Sequence, residues 1–413
     1  MERINGSAVR FTSRQKLIAS LCFGAYLSAY LMRVNISIAL PDISKYLGYS
    51  DISAIGYIPG AFFWTYALGQ LISGWLGDRI SPKYMIAVGL FCSAVSNLAF
   101  SFASSLSSMI ILWAVNGVFQ SMLWAPIMKT IVLNFDGVRL GKMTFLMSMT
   151  LVVGYSLSWS ASTVIKTFLD WRFVFSIPAA VGGIFAVVWT VLYKKDTSVP
   201  AFGKNTVSSK FSLLFRLKYF PLTVVLMLAV GLLHGIIKES INTWLPTMMD
   251  SFGSFSLSST LGVLVIVPII NFIGIVFMRV IMARGKSNSF YTVSVLLVIS
   301  LAVAVISVFL SFNTFALVAL TVALSGLTFA SNPVLTAFFP IEFAKWNCVS
   351  TVAGTVDCMI YFGAALSSPL TGFLADGSDW SKVTLMWSAV LLLAVISSVF
   401  LKKVSAKFFK TNT

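Results

Sequence analysis

The chain has one histidine and only 13 acidic residues among 413, and charged residues of both signs make up 10% of it. Each scarcity removes a class of chemistry. The single histidine, His234, lies inside an apolar run, and no metal-ligand cluster, nucleophile elbow or glycine-rich phosphate loop stands elsewhere. That pattern argues against an enzyme, and no metal or cofactor is expected. The four cysteines, Cys22, Cys92, Cys348 and Cys358, all fall in or beside apolar runs. They form neither a disulfide framework nor a CxxC metal motif. With 58% hydrophobic residues and a mean hydropathy of +0.92, the chain lies outside the range of soluble domains. Its formal charge of +16 is carried by lysines and arginines that punctuate apolar runs instead of clustering on a polar surface. A lipid bilayer is therefore the expected partner, and nucleic acid is not.

Twelve apolar runs are long enough to cross a hydrocarbon core of roughly 30 Å. They lie at 16–40, 54–76, 83–102, 108–134, 142–166, 172–193, 221–246, 257–282, 289–311, 314–338, 348–374 and 381–401. The reading is an all-α membrane protein of two six-helix bundles, 1–193 and 221–413, around a central cavity, joined by a basic linker at 194–220. An even number of crossings puts both termini on one side. Placing them in the cytoplasm leaves only Lys45, Lys166, Arg172 and Lys382 outside, which fixes the expected orientation. The first run carries Arg33 where a secretory signal would have a small-residue cleavage site, so it is read as a retained span. A bacterial inner membrane and a monomer are the expected setting.

An internal echo points to function. RVNISIALP places Arg33 eight residues before Pro41, and KESINTWLP, 205 positions later, places Lys238 eight residues before Pro246. Gly69 and Arg79 recur at the same offset as Gly274 and Arg284. Duplicated bundles carrying one buried cation each imply a carrier with a central anion site. A charge in mid-membrane is costly, so intramembrane charges mark function. The candidates are Arg33, Lys129, Lys238, Glu239 and Asp357. Helical spacing adds Tyr26 and Tyr30 to the face of Arg33, and His234 and Asn242 to that of Lys238. Gln120 adds a polar group to span 4, Tyr361 follows Asp357 on span 11, and Trp124 lies near Lys129. Pro126 and Pro333 interrupt related spans of the two halves. The competing readings are a helix clamp, in which Arg33 or Lys238 pairs with Glu239 or Asp357, and snorkelling of Lys129 to the interface.

Between spans 2 and 3, Gly74-x-x-x-Asp78-Arg79-x-x-x-Lys83 resembles the loop signature of the major facilitator superfamily, with Arg284-Gly285-Lys286 similar to its weaker second copy. The resemblance implies a conformational latch, so Asp78, Arg79 and Arg284, with Glu239, are gating or coupling candidates. YLMRVNISIALP, NGVFQSMLWAPIMK and GIIKESINTWLP resemble the span 1, 4 and 7 motifs of the organophosphate:phosphate antiporter family. That family includes glycerol-3-phosphate and hexose-phosphate transporters. The resemblance implies that Arg33 and Lys238 grip phosphate and that Lys129 matches the basic residue of span 4. Two departures stand out: Thr150 in place of a histidine on span 5, and an acid, Asp357, where the glycerol-phosphate members have none; on span 7, where the family carries arginine or lysine, this chain has lysine. Lysine exchanges a planar two-pronged donor for a point charge.

The expected activity is therefore exchange of an organic phosphate for inorganic phosphate by alternating access. Proton-coupled uptake of a carboxylate such as a sugar acid is the alternative, with Glu239 or Asp357 carrying the proton. A transporter-like sensor of phosphate esters is a third reading.

Overall fold

The computed structural model describes residues 11–48, 53–194, 217–283, 289–343, 349–375 and 379–412, apart from a few side chains within the helices. Within these residues every regular element is helical. In hydrocarbon the backbone must satisfy its own hydrogen bonds, and over such apolar runs the helix does so locally. Span 1 is the helix Ser13–Val34 followed by Ile36–Leu47, and spans 2 and 3 are Tyr57–Arg79 and Pro82–Ser101. Span 4 is Leu106–Ser121 followed by Trp124–Asn134, span 5 Gly137–Phe168 and span 6 Phe173–Leu192. Spans 7, 8 and 9 are Phe220–Phe252, Leu257–Ala283 and Ser289–Phe309. Span 10 is Thr314–Pro333, continued through a π turn at Val334–Phe338, and spans 11 and 12 are Val349–Leu374 and Trp380–Asn412. Ten of these, all but Tyr57–Arg79 and Val349–Leu374, meet both the length and the hydropathy needed to cross a membrane. Large apolar side chains such as Phe91, Ile111, Ile184, Phe277 and Phe309 stand exposed around the outside, as a surface solvated by lipid requires.

Packing repeats with the sequence. Span 1 lies on spans 5 and 6, span 2 on span 4, and span 3 on spans 4 and 6. Six spans later the same pairs recur: 7 on 11 and 12, 8 on 10, 9 on 10 and 12. Between the two sets, span 2 packs on 11, span 5 on 8, and the second helix of span 1 on span 7.

Four proline-containing spans respond differently. Span 1 breaks at Asn35, six residues before Pro41, whereas span 7 runs unbroken through Pro246. Span 4 breaks at Met122–Leu123, which puts Pro126 in the first turn of the next helix, where its missing N–H costs nothing. Span 10 widens to the π turn directly after Pro333, a common accommodation where the hydrogen-bond ladder is interrupted. At the start of span 12, Asp379 accepts from the backbone N–H of Ser381 at 3.1 Å and from its hydroxyl. Those bonds, chiefly the hydroxyl, with Lys382 nearby, hold the Asp379 carboxyl below the usual range.

The break in span 1 is held from the side. The Met32 carbonyl accepts from the side-chain amides of Asn97 on span 3 at 3.0 Å and Asn116 on span 4 at 2.9 Å. Gln120 donates to the Ala29 carbonyl at 3.2 Å, and Asn35 donates to Asn97 Oδ1 at 3.1 Å and to the Val174 carbonyl of span 6 at 3.0 Å. Trp159 of span 5 donates to the Ser37 hydroxyl at 2.8 Å. Four neighbouring spans thus fix the stretch of span 1 that contains Arg33.

In the other six spans, 7 and 11 cross with almost no side chain between them. A Cβ on Gly235 would stand 2.0 Å from the Ile360 carbonyl oxygen, and one on Gly363 would stand 2.0 Å from that of Leu232. Close backbone approach at small residues is how membrane helices gain packing energy where lipid already solvates apolar side chains. Gly363→Leu is therefore expected to lower the thermal unfolding midpoint in detergent and the yield of monodisperse protein. Gly262→Leu, where a Cβ meets nothing within 4 Å, is expected to leave both near wild type. Equal behaviour of the two variants would contradict this account of the crossing.

Candidate functional site

A cavity of about 650 Å³ opens among spans 1, 2, 4, 5, 7, 8, 10 and 11, a size within the usual range for small-molecule sites. Its walls extend from Arg33 and Lys238 towards the end of the bundle that holds Ser13 and Asn412, past Met128, Arg279 and Ala337. At the opposite end span 2 closes on span 11: a Cβ on Gly56 would stand 2.6 Å from the Ser368 carbonyl oxygen. The breaks in spans 4 and 10 both flank the cavity, through Trp124 and Ala125 on one side and Pro333 and Thr336 on the other.

Arg33 is 9% exposed, and no carboxylate among the described residues lies within ion-pair distance of it. Its compensation is aromatic. The guanidinium carbon lies 4.9 Å from the ring centroid of Tyr30, 5.2 Å from that of Tyr66, and 5.9 Å from those of Tyr26 and Phe62. Ring faces carry negative potential, and such contacts strengthen when water is excluded. Gly154 of span 5 makes room for the cage, since a Cβ there would stand 2.5 Å from Cγ of Tyr30. The Arg33 Nε proton has no acceptor, leaving a donor available beside the cavity.

Lys238 is held differently. Its ammonium lies 3.3 Å from the Glu239 carboxylate and 5.6 and 5.8 Å from the rings of Phe329 and Tyr361. A chain of rings connects the two cations across the bundle. Tyr66, which faces Arg33, lies 4.7 Å from Tyr361, which faces Lys238. Trp124 lies, tilted, 4.8 Å from Tyr26, and Tyr155 lies 5.5 Å from Tyr30. Asp357 reaches the same cavity one helical turn from Tyr361 and forms no ion pair among the described residues.

Of the residues singled out in the sequence, Tyr26, Tyr30, Arg33, Trp124, Lys238, Glu239, Asp357 and Tyr361 line one cavity, as does Thr150. Four others stand elsewhere. Gln120 belongs to the amide cluster behind span 1, and His234 is buried against the Ser331 hydroxyl at 3.2 Å. Asn242 donates to the Lys238 carbonyl and lines a separate void of about 30 Å³ beyond Arg33. Lys129 is half-buried on span 4, next to the cavity residue Met128 but outside its walls. The side chains of Asp78 and Arg79, and Arg284 entirely, lie outside the described residues. Sequence reading missed Tyr66, Gln70, Tyr155, Arg279 and Asn332, all in the cavity wall. Arg279 had a signal, being the one charge in the apolar run 257–282.

Comparison with known proteins agrees with the geometry. The glycerol-3-phosphate transporter of Bacillus subtilis is 23% identical over 403 residues, covering 91% of this chain and 89% of the relative. A probable hexose phosphate transport protein of Chlamydia trachomatis is 26% identical over 168 residues, covering 41% of this chain and only 36% of that protein. Among solved structures, a mutant of the nucleoside transporter NupG superposes with a TM-score of 0.72 at 16% identity, covering 92% of this chain and 99% of that one. At that identity the likeness speaks for the fold. The sequence model of the Major Facilitator Superfamily matches residues 22–356, and this chain belongs to that superfamily.

Proposed function

We propose that the protein is a secondary carrier, not an enzyme, that exchanges an organic phosphate of the sugar-phosphate or glycerol-phosphate class for inorganic phosphate. The observation that carries this reading is the placement of Arg33 and Lys238, from the repeated motifs of spans 1 and 7, in the wall of one cavity. Arg33 has a cage that stabilises its charge without neutralising it, so it is ready to receive an anion. Lys238 is neutralised in the empty carrier by Glu239, and an entering phosphate competes for it. Charge-assisted bonds from both cations to one dianion draw the two bundles, 1–193 and 221–413, together around it. Re-orientation then requires an anion in place, which makes the cycle an exchange. The bundles rock about the site, with 194–220 as the cytoplasmic connection and both termini in the cytoplasm of a bacterial cell. The protein acts as a monomer. The relatives' names support the organophosphate class.

Proton-coupled uptake of an organic carboxylate is the second reading, and the unpaired Asp357 in the cavity is the observation in its favour. Counterflow of labelled inorganic phosphate in proteoliposomes separates the two. Exchange is expected only in vesicles loaded with phosphate, and Arg33→Ala and Lys238→Ala are each expected to reduce it by roughly a hundredfold or more. Uptake of a sugar acid that collapses with an uncoupler and ignores internal phosphate would instead establish symport.

The ring chain yields a finer expectation. Tyr66→Phe keeps the face presented to Arg33 and is expected to leave phosphate affinity within a few-fold of wild type. Tyr66→Leu removes that face, and the half-saturating phosphate concentration is expected to shift by roughly three- to thirtyfold. Identical kinetics of the two variants would show that the ring takes no part in holding the cation.

A further inference from the structure

Five charged side chains line the large cavity: Arg33, Lys238 and Arg279, with Glu239 and Asp357. Without Arg279 the cavity would carry no net charge, and a bound phosphate dianion would leave it strongly negative. Arg279 tips that balance to a net positive charge, yet it takes no part in the phosphate grip proposed above. It lies on span 8, four residues before Ala283, on the side of the cavity towards the chain ends. Unlike Lys238, it has no ion pair, hydrogen bond or ring contact among the described residues.

The internal repeat shows that this cation is an addition. At the 205-residue offset Arg279 corresponds to Gly74 of span 2, so the first half has no equivalent. The same offset pairs Tyr66, which faces Arg33, with Asn271. From Asn271, Arg279 is eight residues further along span 8, about 12 Å at the rise of an α-helix. On that correspondence Arg279 stands about two turns of span 8 nearer the chain ends than the level of Tyr66, which faces Arg33. The wall between carries neutral polar groups: Gln70 of span 2, and Thr336 of span 10, whose hydroxyl donates to the Asn332 carbonyl at 3.0 Å and keeps its lone pairs free.

We propose that Arg279 is the cation of a second anion subsite, and that the organic substrate is a phosphate ester bearing another anionic group at its far end. This inference rests on the phosphate reading of the Arg33 and Lys238 site. A carboxylate and a second phosphate share the chemistry Arg279 recognises, since its planar guanidinium offers paired donors to either. Glycerol 3-phosphate or a sugar monophosphate fills the deep grip and leaves Arg279 unmet. A phosphoglycerate or a sugar bisphosphate meets both.

The test is competition against labelled phosphate counterflow, with the half-inhibiting concentrations compared as a ratio within each variant. The pairs are 3-phosphoglycerate against glycerol 3-phosphate, and fructose 1,6-bisphosphate against fructose 6-phosphate. In the wild type at least one doubly anionic competitor is expected to be better than its partner by roughly ten- to hundredfold, the range for one charge-assisted bond. Arg279→Gln is expected to bring that ratio close to one, and Arg279→Lys to keep most of it. Preference confined to the first pair assigns a carboxylate, and preference confined to the second assigns a phosphate. Phosphate exchange in the wild type with no preference in either pair would overturn the subsite while leaving the antiporter reading intact. A ratio unchanged in Arg279→Gln would do the same. Should that variant fail to assemble, the wild-type ratios and Arg279→Lys still decide: a wild-type preference lost even with lysine would show recognition of shape and not of charge, against the proposal. Absence of any phosphate exchange by folded wild-type protein would overturn both readings together.

Discussion

A buried guanidinium with no carboxylate within ion-pair distance among the described residues is the constraint around which this bundle is arranged. Removing Arg33 from water is costly, and pairing it with an acid would cancel its charge. Four aromatic rings solve both problems, because their faces stabilise the cation while leaving its net charge in place. That solution dictates much else. The rings come from spans 1 and 2, so those spans must hold a fixed separation, and Tyr30 needs the empty volume at Gly154. The peptide just before Arg33 needs its carbonyl satisfied, which brings Asn97 and Asn116 into the packed interior.

The two cations inherited from the repeat have thus diverged in environment. Among the described residues Arg33 keeps a cage and no ion pair, whereas Lys238 has a counter-ion next to it in sequence and a looser pair of rings. In the exchange proposed above, a bound anion meets a standing positive charge from one bundle and displaces an internal ion pair in the other. The asymmetry gives the occupied and empty states different internal electrostatics, which a carrier needs if its conformation is to report occupancy.

Most of the fold was legible in the chain because bilayer thickness and backbone satisfaction leave few alternatives for long apolar runs. Arg33, Lys238 and Asp357 were legible for a related reason, since charge inside such a run is too costly to be incidental. Three of the residues that stand outside the wall of the large cavity share a trait. Gln120, His234 and Asn242 are neutral polar groups, and a helix interior in a bundle offers such groups two uses, a cavity wall or a bond to a neighbouring span. Periodicity places a residue on a face and does not say whether that face meets water or another helix. Tyr66 and Tyr155 were hidden for the opposite reason: amid 35 phenylalanines and 12 tyrosines, a ring that serves a cation looks like one that packs against lipid. Pro41 and Pro246 occupy matching positions, yet only span 1 breaks, because the side-chain amides that stabilise a break come from distant spans 3 and 4.

The double acceptance at the Met32 carbonyl has a mechanical consequence. Two directional bonds from different spans converge on one oxygen, so span 1 cannot slide or turn on its own without losing both in a medium that offers no replacement. The surfaces where span 2 meets span 11 and span 5 meets span 8 carry contacts of another kind, such as Tyr66 on Tyr361, Phe145 on Phe272 and Gly60 against Pro369. Ring faces and methylene edges tolerate small rotations because their energy varies gently with angle. Directional bonds thus hold span 1 within its own set of six spans, whereas ring and methylene contacts predominate where the two sets meet, directly beside the charges of the cavity.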